Sequence, residues 1–485
     1  MIKQFYKYSA SVILLIVTVF VLLQSPLAPF ANNVVIADSG VFIYCAKEII
    51  SGKLIYKEVF DHKGPVIYLI NIIGLTILNG NLTGIWLIEV ISLFLAALYM
   101  FKTLRFFYDD TVAVISVVFL LLTLTPLLEG GNLTEEYALP FTALSGYILT
   151  GYTARQRTMG YTDTLLVAVC FTLTFLLRPN LVPLWVGFAV VICFSLIRER
   201  KYNDVLRYSL TAITGVFLTV LPFIVYAVKK NILSDAIFCF WEFNIAYSNT
   251  TLAKIISGAY KSTESVSKTS LMILVFIYMW HVALNFKKQD NKPLHTAVFL
   301  NIFLTMFISC GLSDRGFDHY AIAYIPVVCV AVAMCFSAIS KYAKTVIFPV
   351  GIMLILTWHA LVMHYYLINY AYIPKPYITQ VVNFIQNTTG KDDRIAVIGN
   401  DSKLYFMSER ASCSKYHYLS TILHVAEVSN VILREFCSDL TTKRPKLIVV
   451  ESRLNMVGCI AETIAGDYNL KVKSRDGSMV IYSLK

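Results

Sequence analysis

The fold class is decided by residues 84–107, GIWLIEVISLFLAALYMFKTLRFF, which carry a single acidic residue, Glu89, before the first basic one, Lys102. A run of about 20 mainly apolar residues is long enough to cross the hydrocarbon core of a bilayer as an α-helix. The stretch ends on basic residues, which are typical of the cytoplasmic end of a span. It therefore predicts a transmembrane helix.

Ten further apolar runs resemble this stretch in length and composition. The full set covers residues 9–29, 84–107, 111–128, 137–152, 161–178, 180–197, 207–228, 268–286, 294–312, 319–339 and 345–369. The 485-residue chain is 57% hydrophobic and only 15% charged, with a mean hydropathy of +0.66. A soluble domain carries about 25% charged residues. We therefore expect an α-helical polytopic membrane protein with about eleven transmembrane helices.

Basic residues predict the orientation of these helices. With the N-terminus in the cytoplasm, the short inside loops hold Lys102/Arg105, Arg155/Arg157, Arg198/Arg200/Lys201, Lys287/Lys288/Lys292 and Lys341/Lys344. The shorter run at 66–79 would invert every later loop if it crossed, so we interpret it as an interfacial or re-entrant helix. Since these loops explain the net charge of +11, the charge gives no reason to expect nucleic-acid binding.

Residues 30–83 then form one large outer loop with interfacial helices, and the polar tail lies on the same side. We predict a transmembrane domain over 1–371 and a small extracytoplasmic α/β domain over 372–485. In this topology the N-terminus is cytoplasmic.

Short buried strands and a helix account for much of the tail pattern. Residues 394–399 (RIAVIG), 446–451 (KLIVVE) and 479–483 have strand composition, and 421–436 has a helical period. The tail cysteines, Cys413, Cys437 and Cys459, allow one disulfide if the tail faces an oxidising compartment.

Ionisable residues concentrate in the loops that this topology places outside. They are Asp38, Lys47, Glu48, Lys57, Glu58, Asp61, His62, Lys63, Glu129, Glu135, Glu136, Arg178, Asp314, Arg315, Asp318 and His319. A carboxylate can act as a base towards a hydroxyl, and cations can hold a phosphate. The outer face is therefore the expected location of a site.

The same loops carry a family resemblance. Residues 37–40 (ADSG), 52–56 (GKLIY) and 61–65 (DHKGP) resemble the first outer loop of GT-C glycosyltransferases. The nearest group is the bacterial relatives of protein O-mannosyltransferases and aminoarabinose transferases. Later elements resemble this group in order: 132–139 (NLTEEYAL), 177–179 (LRP), His319-Tyr320 followed by Pro326, and tail residues 399–410. Gly64 departs from the pattern, because many relatives have proline there.

The resemblance implies a glycosyltransferase that takes a sugar from a polyprenyl-phosphate donor and inverts its anomeric centre. It also implies a location in a bacterial cytoplasmic (inner) membrane. The acceptor, a lipid, glycan or protein, is not identified by the sequence. No cofactor is required by these motifs, and nothing in the spacing of the acids indicates a divalent metal.

The resemblance also assigns site residues. Asp38 is the expected base or orienting carboxylate, and Glu136, with Glu135 as the alternative, is the second acid. The expected donor-phosphate ligands are Lys63, Arg178, His319, His62 and Tyr320. Each has a simpler interpretation: Asp38 as a helix cap, Lys63 as a snorkelling lysine and Arg178 as an interfacial anchor. Asp61 either pairs with Lys63 or caps the short helix.

Two other functions use the same features. A carrier of lipid-linked sugars would also be a polytopic membrane protein. Transporters usually have internal repeats, however, and none is evident in this sequence. A polysaccharide polymerase or ligase would share the donor and the outer face.

Overall fold

The computed structural model describes residues 2–485 except 249–250, 268, 270, 313–315, 343–356, 359, 366, 373–375, 420–421 and 453–457. Most of the predicted last span at 345–369, together with Asp314 and Arg315, therefore lies outside the described residues.

Helices follow the predicted apolar runs closely. The first fifteen are α1 Ile2–Leu22, α2 Ala37–Ile50, α3 Pro65–Ile77, α4 Thr83–Leu104, α5 Asp110–Thr123, α6 Thr134–Thr153, α7 Tyr161–Leu177, α8 Pro183–Arg198, α9 Tyr202–Lys229, α10 Leu233–Ile237, α11 Phe243–Ser248, α12 Leu252–Ser267, α13 Leu271–Asn285, α14 Lys292–Leu304 and α15 Tyr324–Tyr342. A π-helical segment, Thr305–Cys310, continues α14, and a 3-10 segment, Asp318–Ala323, precedes α15.

Among the described residues, five helical segments are long and apolar enough to cross a bilayer; they are Thr83–Leu104, Tyr202–Lys229, Leu271–Lys288, Lys292–Cys310 and Asp318–Ser340. Several shorter apolar helices accompany them. Large apolar side chains such as Ile213, Phe217 and Phe276 are at least 60% exposed. Apolar surface of this extent needs a lipid environment. The protein is therefore a multi-pass membrane protein.

The chain divides into two compact units. The first consists of Met1–Pro29, Thr83–Phe223 and Thr250–Ala371, and the second of Phe30–Leu82, Ile224–Asn249 and Tyr372–Lys485. The sequence assigned the outer loop to the transmembrane domain, whereas the structure groups it with the tail.

In the first unit, α4 packs along α6, and α1 packs against α4 and α5. The apolar sides of these helices interlock, and the buried Trp86 indole donates to the Leu22 carbonyl at 2.9 Å. This bundle fixes the N-terminal parts of α4 and α6, where Glu89, Glu135 and Glu136 lie.

In the second unit, α3 is 13 residues long. At 1.5 Å per residue it is about 20 Å long, which is too short for a bilayer core of about 30 Å. Because α5, one of the predicted spans, has only 14 residues, length does not separate the two cases, and the interfacial or re-entrant interpretation of the run at 66–79 stays a prediction.

The tail forms a four-stranded sheet of β1 Ile395–Ile398, β2 Leu447–Glu451, β3 Tyr468–Lys473 and β4 Met479–Leu484, in the order β1-β2-β4-β3. The first pair is parallel, with Ile395 opposite Leu447, and β4 is antiparallel to both β2 and β3. Three strands match the prediction; β3 was not predicted because its burial pattern is mostly exposed. Helices Pro376–Thr388, Lys403–Ser408, Ala426–Lys443 and Cys459–Asp467 accompany the sheet.

Candidate functional site

In the first unit, two buried carboxyl groups share one backbone donor. The Asn132 N–H donates to Oε1 of Glu89 at 2.5 Å and to Oε2 of Glu136 at 3.0 Å. The Ser25 hydroxyl donates to the other oxygen of Glu89 at 3.1 Å. Both acids are completely buried. Two adjacent carboxyl groups are costly to bury unless they are hydrogen-bonded, and the Asn132 N–H and the Ser25 hydroxyl compensate part of that cost.

The loop that supplies this donor has an unusual backbone. Glu129, Gly130, Gly131 and Asn132 all have positive φ, between 48° and 100°. Residues with a side chain rarely adopt positive φ, whereas glycine adopts it without a steric penalty. A Cβ on Gly131 would overlap the Glu89 carboxylate. The two glycines therefore let the loop turn tightly enough to bring the Asn132 amide to the acids.

Glu135, not Glu136, is the acid that contacts the predicted arginine. Arg178 follows α7, and its guanidinium forms an ion pair with Glu135 while lying 4.2 Å from the centroid of the Tyr320 ring. Glu135 also accepts from the Thr134 hydroxyl at 2.8 Å. The structure thus brings Glu135, Arg178 and Tyr320 together and leaves the Arg178 side chain partly accessible.

His319 lies at the same end of the first unit. Its Nδ1 is 3.3 Å from Oε2 of Glu129, and its ring stacks on Phe317 with the centroids 5.4 Å apart. The ring also contacts Tyr320 edge-on at 4.8 Å. His319 is buried, whereas the Glu129 side chain is partly exposed.

In the second unit, Asp61 is the centre of a buried network. Its Oδ1 accepts from the Tyr418 hydroxyl at 2.8 Å and from the His62 N–H at 2.7 Å, and its Oδ2 accepts from the Tyr68 hydroxyl at 2.8 Å. Burial raises the pKa of Asp61, while the nearby Lys63 charge and these hydrogen bonds lower it. Gly64, not Asp61, is the N-cap residue of α3.

Lys63 is linked to this network through the His62 ring. Nδ1 of His62 lies 3.1 Å from the Tyr418 hydroxyl, and Nε2 lies 3.1 Å from Nζ of Lys63. Because Tyr418 donates its hydrogen to Asp61, Nδ1 must donate to Tyr418, and Nε2 accepts from the Lys63 ammonium. The chain of contacts holds a half-buried cation at the edge of the cluster.

Asp38 lies in the first turn of α2 and is also half-buried. Burial raises the pKa of the Tyr418 hydroxyl well above its usual value; the charge of Asp61 adds to the rise, and that of Asp38 adds a smaller amount. The structure thus links two of the predicted site residues of the first outer loop, His62 and Lys63, to one tyrosine from the tail, and Asp38 lies in the same compact unit.

The loop around these residues is held on both sides. The Asn244 amide donates to the His62 carbonyl at 2.7 Å, and the Phe60 N–H donates to the Lys415 carbonyl at 3.0 Å. Nε2 of His417 lies 3.0 Å from the Phe60 carbonyl, and its Nδ1 lies 2.8 Å from the Ser402 hydroxyl. Burial lowers the pKa of His417 to about 3, so the ring is neutral.

Sequence analysis missed three members of these clusters. Tyr418 and Tyr68 hold Asp61, and Glu89 is paired with Glu136. A charge inside a predicted span was a signal for Glu89, because ionisable residues in membrane helices are costly and usually functional. The two tyrosines carried no local signal.

The described residues contain no group of three or more His, Cys, Asp or Glu side chains arranged to hold a metal ion. The residues of both clusters are instead suited to hydrogen bonding, to phosphate binding and to proton transfer.

Comparison with solved structures shows the fold. ArnT from Cupriavidus metallidurans bound to undecaprenyl phosphate is similar over 99% of this chain and 97% of its own, with a TM-score of 0.66 and 10% identity. The archaeal oligosaccharyltransferase AglB from Archaeoglobus fulgidus, in complex with an inhibitory peptide and a dolichol-phosphate, is similar over 99% of this chain and 75% of its own, with a TM-score of 0.54 and 12% identity. The fold is therefore GT-C-like, as the sequence predicted.

Sequence comparison adds a family. No curated protein matches the chain at a significant level. A family model described as "Putative competence-induced protein Ccs4 N-terminal domain" matches residues 3–374, about three quarters of the chain. The chain therefore belongs to this competence-induced Ccs4 N-terminal domain family and has a GT-C-like membrane fold.

Proposed function

We propose that the protein is a glycosyltransferase that moves a sugar from a polyprenyl-phosphate carrier to an acceptor on the extracytoplasmic face of the membrane. The observation that carries the proposal is the contact of Lys63 with the His62 ring, which Tyr418 holds in turn, in a chain with a GT-C-like fold. Asp38 belongs to the same outer loop, and the family resemblance assigns it the role of base or orienting carboxylate. The solved neighbours with undecaprenyl phosphate and dolichol-phosphate support the choice of a lipid phosphate donor.

In the proposed reaction, an acceptor hydroxyl attacks the anomeric carbon of the donor sugar. The new carbon–oxygen bond forms as the bond to the lipid phosphate oxygen breaks, and the electron pair leaves with the phosphate. Asp38 takes the hydroxyl proton or orients the hydroxyl. Attack opposite the leaving group inverts the anomeric centre.

Lys63 is the cation that we assign to the donor phosphate. Its ammonium contacts the neutral His62 ring and is not directly paired with a carboxylate in the hydrogen bonds of the described residues, so its charge is available to an incoming anion. Arg178 is the second proposed phosphate ligand. Its pairing with Glu135 already compensates part of its charge, so its contribution should be smaller.

The tail disulfide supports the proposed orientation. Cys437 and Cys459 are joined, and disulfides persist in oxidising, extracytoplasmic compartments. Together with the basic loops, the disulfide supports our proposal that the tail lies outside the cytoplasm.

Release of free polyprenyl phosphate tests the proposal without knowledge of the sugar. Purified protein in nanodiscs would be given a panel of polyprenyl-phosphate sugars and membrane-extracted acceptors, and the released lipid phosphate measured by mass spectrometry. We expect turnover with at least one donor, a loss of at least 100-fold in Asp38→Asn, in keeping with the usual contribution of a general base, and a weaker donor affinity in Lys63→Ala.

Lys57→Ala is the matched control, because Lys57 is an exposed lysine in the same loop. Its turnover should equal that of the unmodified protein. Full activity of Asp38→Asn would overturn the assigned mechanism. Movement of the lipid-linked sugar across liposomes without release of lipid phosphate would identify a carrier, and a product containing a whole glycan chain would identify a polymerase or ligase.

A further inference from the structure

A large apolar cavity lies within the first unit, between α7, α8 and α9. It has a volume of about 600 Å³, which is in the range of small-molecule sites. Its lining is almost entirely apolar, and small residues such as Ala168, Ala189 and Ala212 leave the space open. Helices α7 and α9 pack closely beside the cavity: a Cβ added to Gly215 of α9 would overlap the Cβ of Ala168 of α7.

The cavity opens sideways. Ile213 and Phe217 belong to its lining and are 64% and 60% exposed, so the opening faces the lipid around the helices. Towards Arg178, the rings of Phe171 and Trp185 contact each other edge-on, with centroids 5.9 Å apart, and both line the cavity. An open apolar space of this size that faces lipid is large enough to accommodate a hydrocarbon chain.

The other end of the cavity is cationic and aromatic. Tyr208 lines it, and Arg207 donates to the Tyr208 hydroxyl at 3.0 Å while its guanidinium lies 5.3 Å from the Tyr161 ring centroid. Nε of Arg207 has no hydrogen-bond partner among the described residues. Asp204 lies 3.3 Å from another guanidinium nitrogen. Tyrosines and arginines at a helix end are typical of the headgroup region.

The wider charge at this end is positive. Residues 154–164 and 198–207, around the two loops that join α6 to α7 and α8 to α9, contain six cations and three carboxylates; the cations are Arg155, Arg157, Arg198, Arg200, Lys201 and Arg207, and the acids are Asp163, Glu199 and Asp204. Arg155 and Lys201 pair with Glu199, and Arg157 pairs with Asp163. The positive excess favours an anionic headgroup over a zwitterionic one.

We infer that this cavity binds one acyl chain of an anionic phospholipid from the bilayer, with the headgroup beside Arg207 and Tyr208. The headgroup would lie beside the first turn of α7, at the opposite end of that helix from Arg178. The helix has 17 residues, so this position is about 25 Å from Arg178 and is separate from the proposed site of sugar transfer. The lipid site gives the protein a dependence on the lipid composition of the predicted cytoplasmic leaflet.

Trp185 allows a direct test, because it lines the cavity. The full-length protein would be placed in phosphatidylcholine nanodiscs with increasing fractions of phosphatidylglycerol brominated on its acyl chains, and the Trp185 signal isolated by subtracting the Trp185→Phe variant. We expect saturable quenching at low fractions of the brominated phosphatidylglycerol, and none at equal fractions of brominated phosphatidylcholine. Unlabelled phosphatidylglycerol should compete with the brominated lipid and reduce the quenching, and this measurement needs no substitution in the cavity.

Two variant pairs locate the site. Ala189→Phe fills the cavity and should abolish saturable quenching, whereas Val190→Phe, on the exposed side of the same helix, should retain it. Arg207→Gln should raise the half-saturating fraction roughly fivefold, and the exposed Arg200→Gln, which adds only to the general positive charge, should raise it less. Quenching that rises in proportion to either lipid would show ordinary boundary lipid and overturn the inference. Competition by undecaprenyl phosphate but not by phosphatidylglycerol would overturn it as well.

Discussion

The substitution Tyr418→Phe tests the network that supports Lys63. The ring stays in place, but Asp61 loses one charged hydrogen bond and Nδ1 of His62 loses its acceptor. A hydrogen bond to a charged group contributes about 1.5–3 kcal/mol and a neutral one about 1 kcal/mol. Asp61 keeps its bonds from Tyr68 and from the His62 N–H. We therefore expect a loss of about 3 kcal/mol in the free energy of unfolding.

Tyr416→Phe is the matched control. Tyr416 is as buried as Tyr418, but its hydroxyl donates at 2.6 Å to Glu435, whose side chain is 47% exposed. Water can replace that bond, so the cost should be about 1 kcal/mol or less.

Both variants would be unfolded by detergent titration in mixed micelles, with the reactivity of the buried Cys45, Cys239 and Cys413 as the reporter. Equal losses in Tyr418→Phe and Tyr416→Phe would refute the assignment of Tyr418 as the residue that holds Asp61 and His62.

Three further predictions concern stability. Since burial lowers the pKa of His417 to about 3 while an unfolded histidine titrates near 6.5, only the unfolded chain takes up this proton between pH 7 and pH 5. Stability should therefore fall by roughly 2 kcal/mol over that range, and unfolding titrations of His417→Asn should lack this part of the pH dependence. Gly131→Ala should lower the free energy of unfolding by at least twice the roughly 1 kcal/mol expected for Gly80→Ala. Both glycines have φ near 90°, but only Gly131 faces a carboxylate. Equal decreases in the thermal unfolding midpoints of the two variants would contradict this. Replacing Cys437 and Cys459 by serine opens a loop of 22 residues and should lower the free energy of unfolding by about 3 kcal/mol. In the unmodified protein, an alkylating reagent should label these two cysteines only after reduction. Labelling of both before reduction would refute the disulfide.

Much of the fold followed from the sequence because each membrane-spanning helix needs a long apolar run, which is visible in the sequence. The run at 84–107 predicted the helix Thr83–Leu104, and the other described runs fall on helices of similar bounds. The GT-C-like fold is confirmed, whereas the count of eleven spans stays a prediction. Strand composition likewise located β1, β2 and β4.

The candidate site was predictable only in part. Motif order grouped Asp38, His62 and Lys63, since they lie within one loop. Whether Glu135 or Glu136 contacts Arg178 depends on the rotation of α6 and on the tight backbone of the preceding loop. Two adjacent residues on a helix point about 100° apart, so a pattern of letters cannot choose between them without the packing.

The sequence by itself determined that this chain must live in a bilayer, because its apolar runs are too many and too long for water, and it located the polar loops between them. Tertiary structure decided which side chains those loops bring together. Tyr418 lies 357 residues from Asp61 in the chain, and only folding of the tail against the first outer loop makes that contact. A hydrogen bond between such distant residues depends on the geometry of the whole unit, and neither local sequence specifies it.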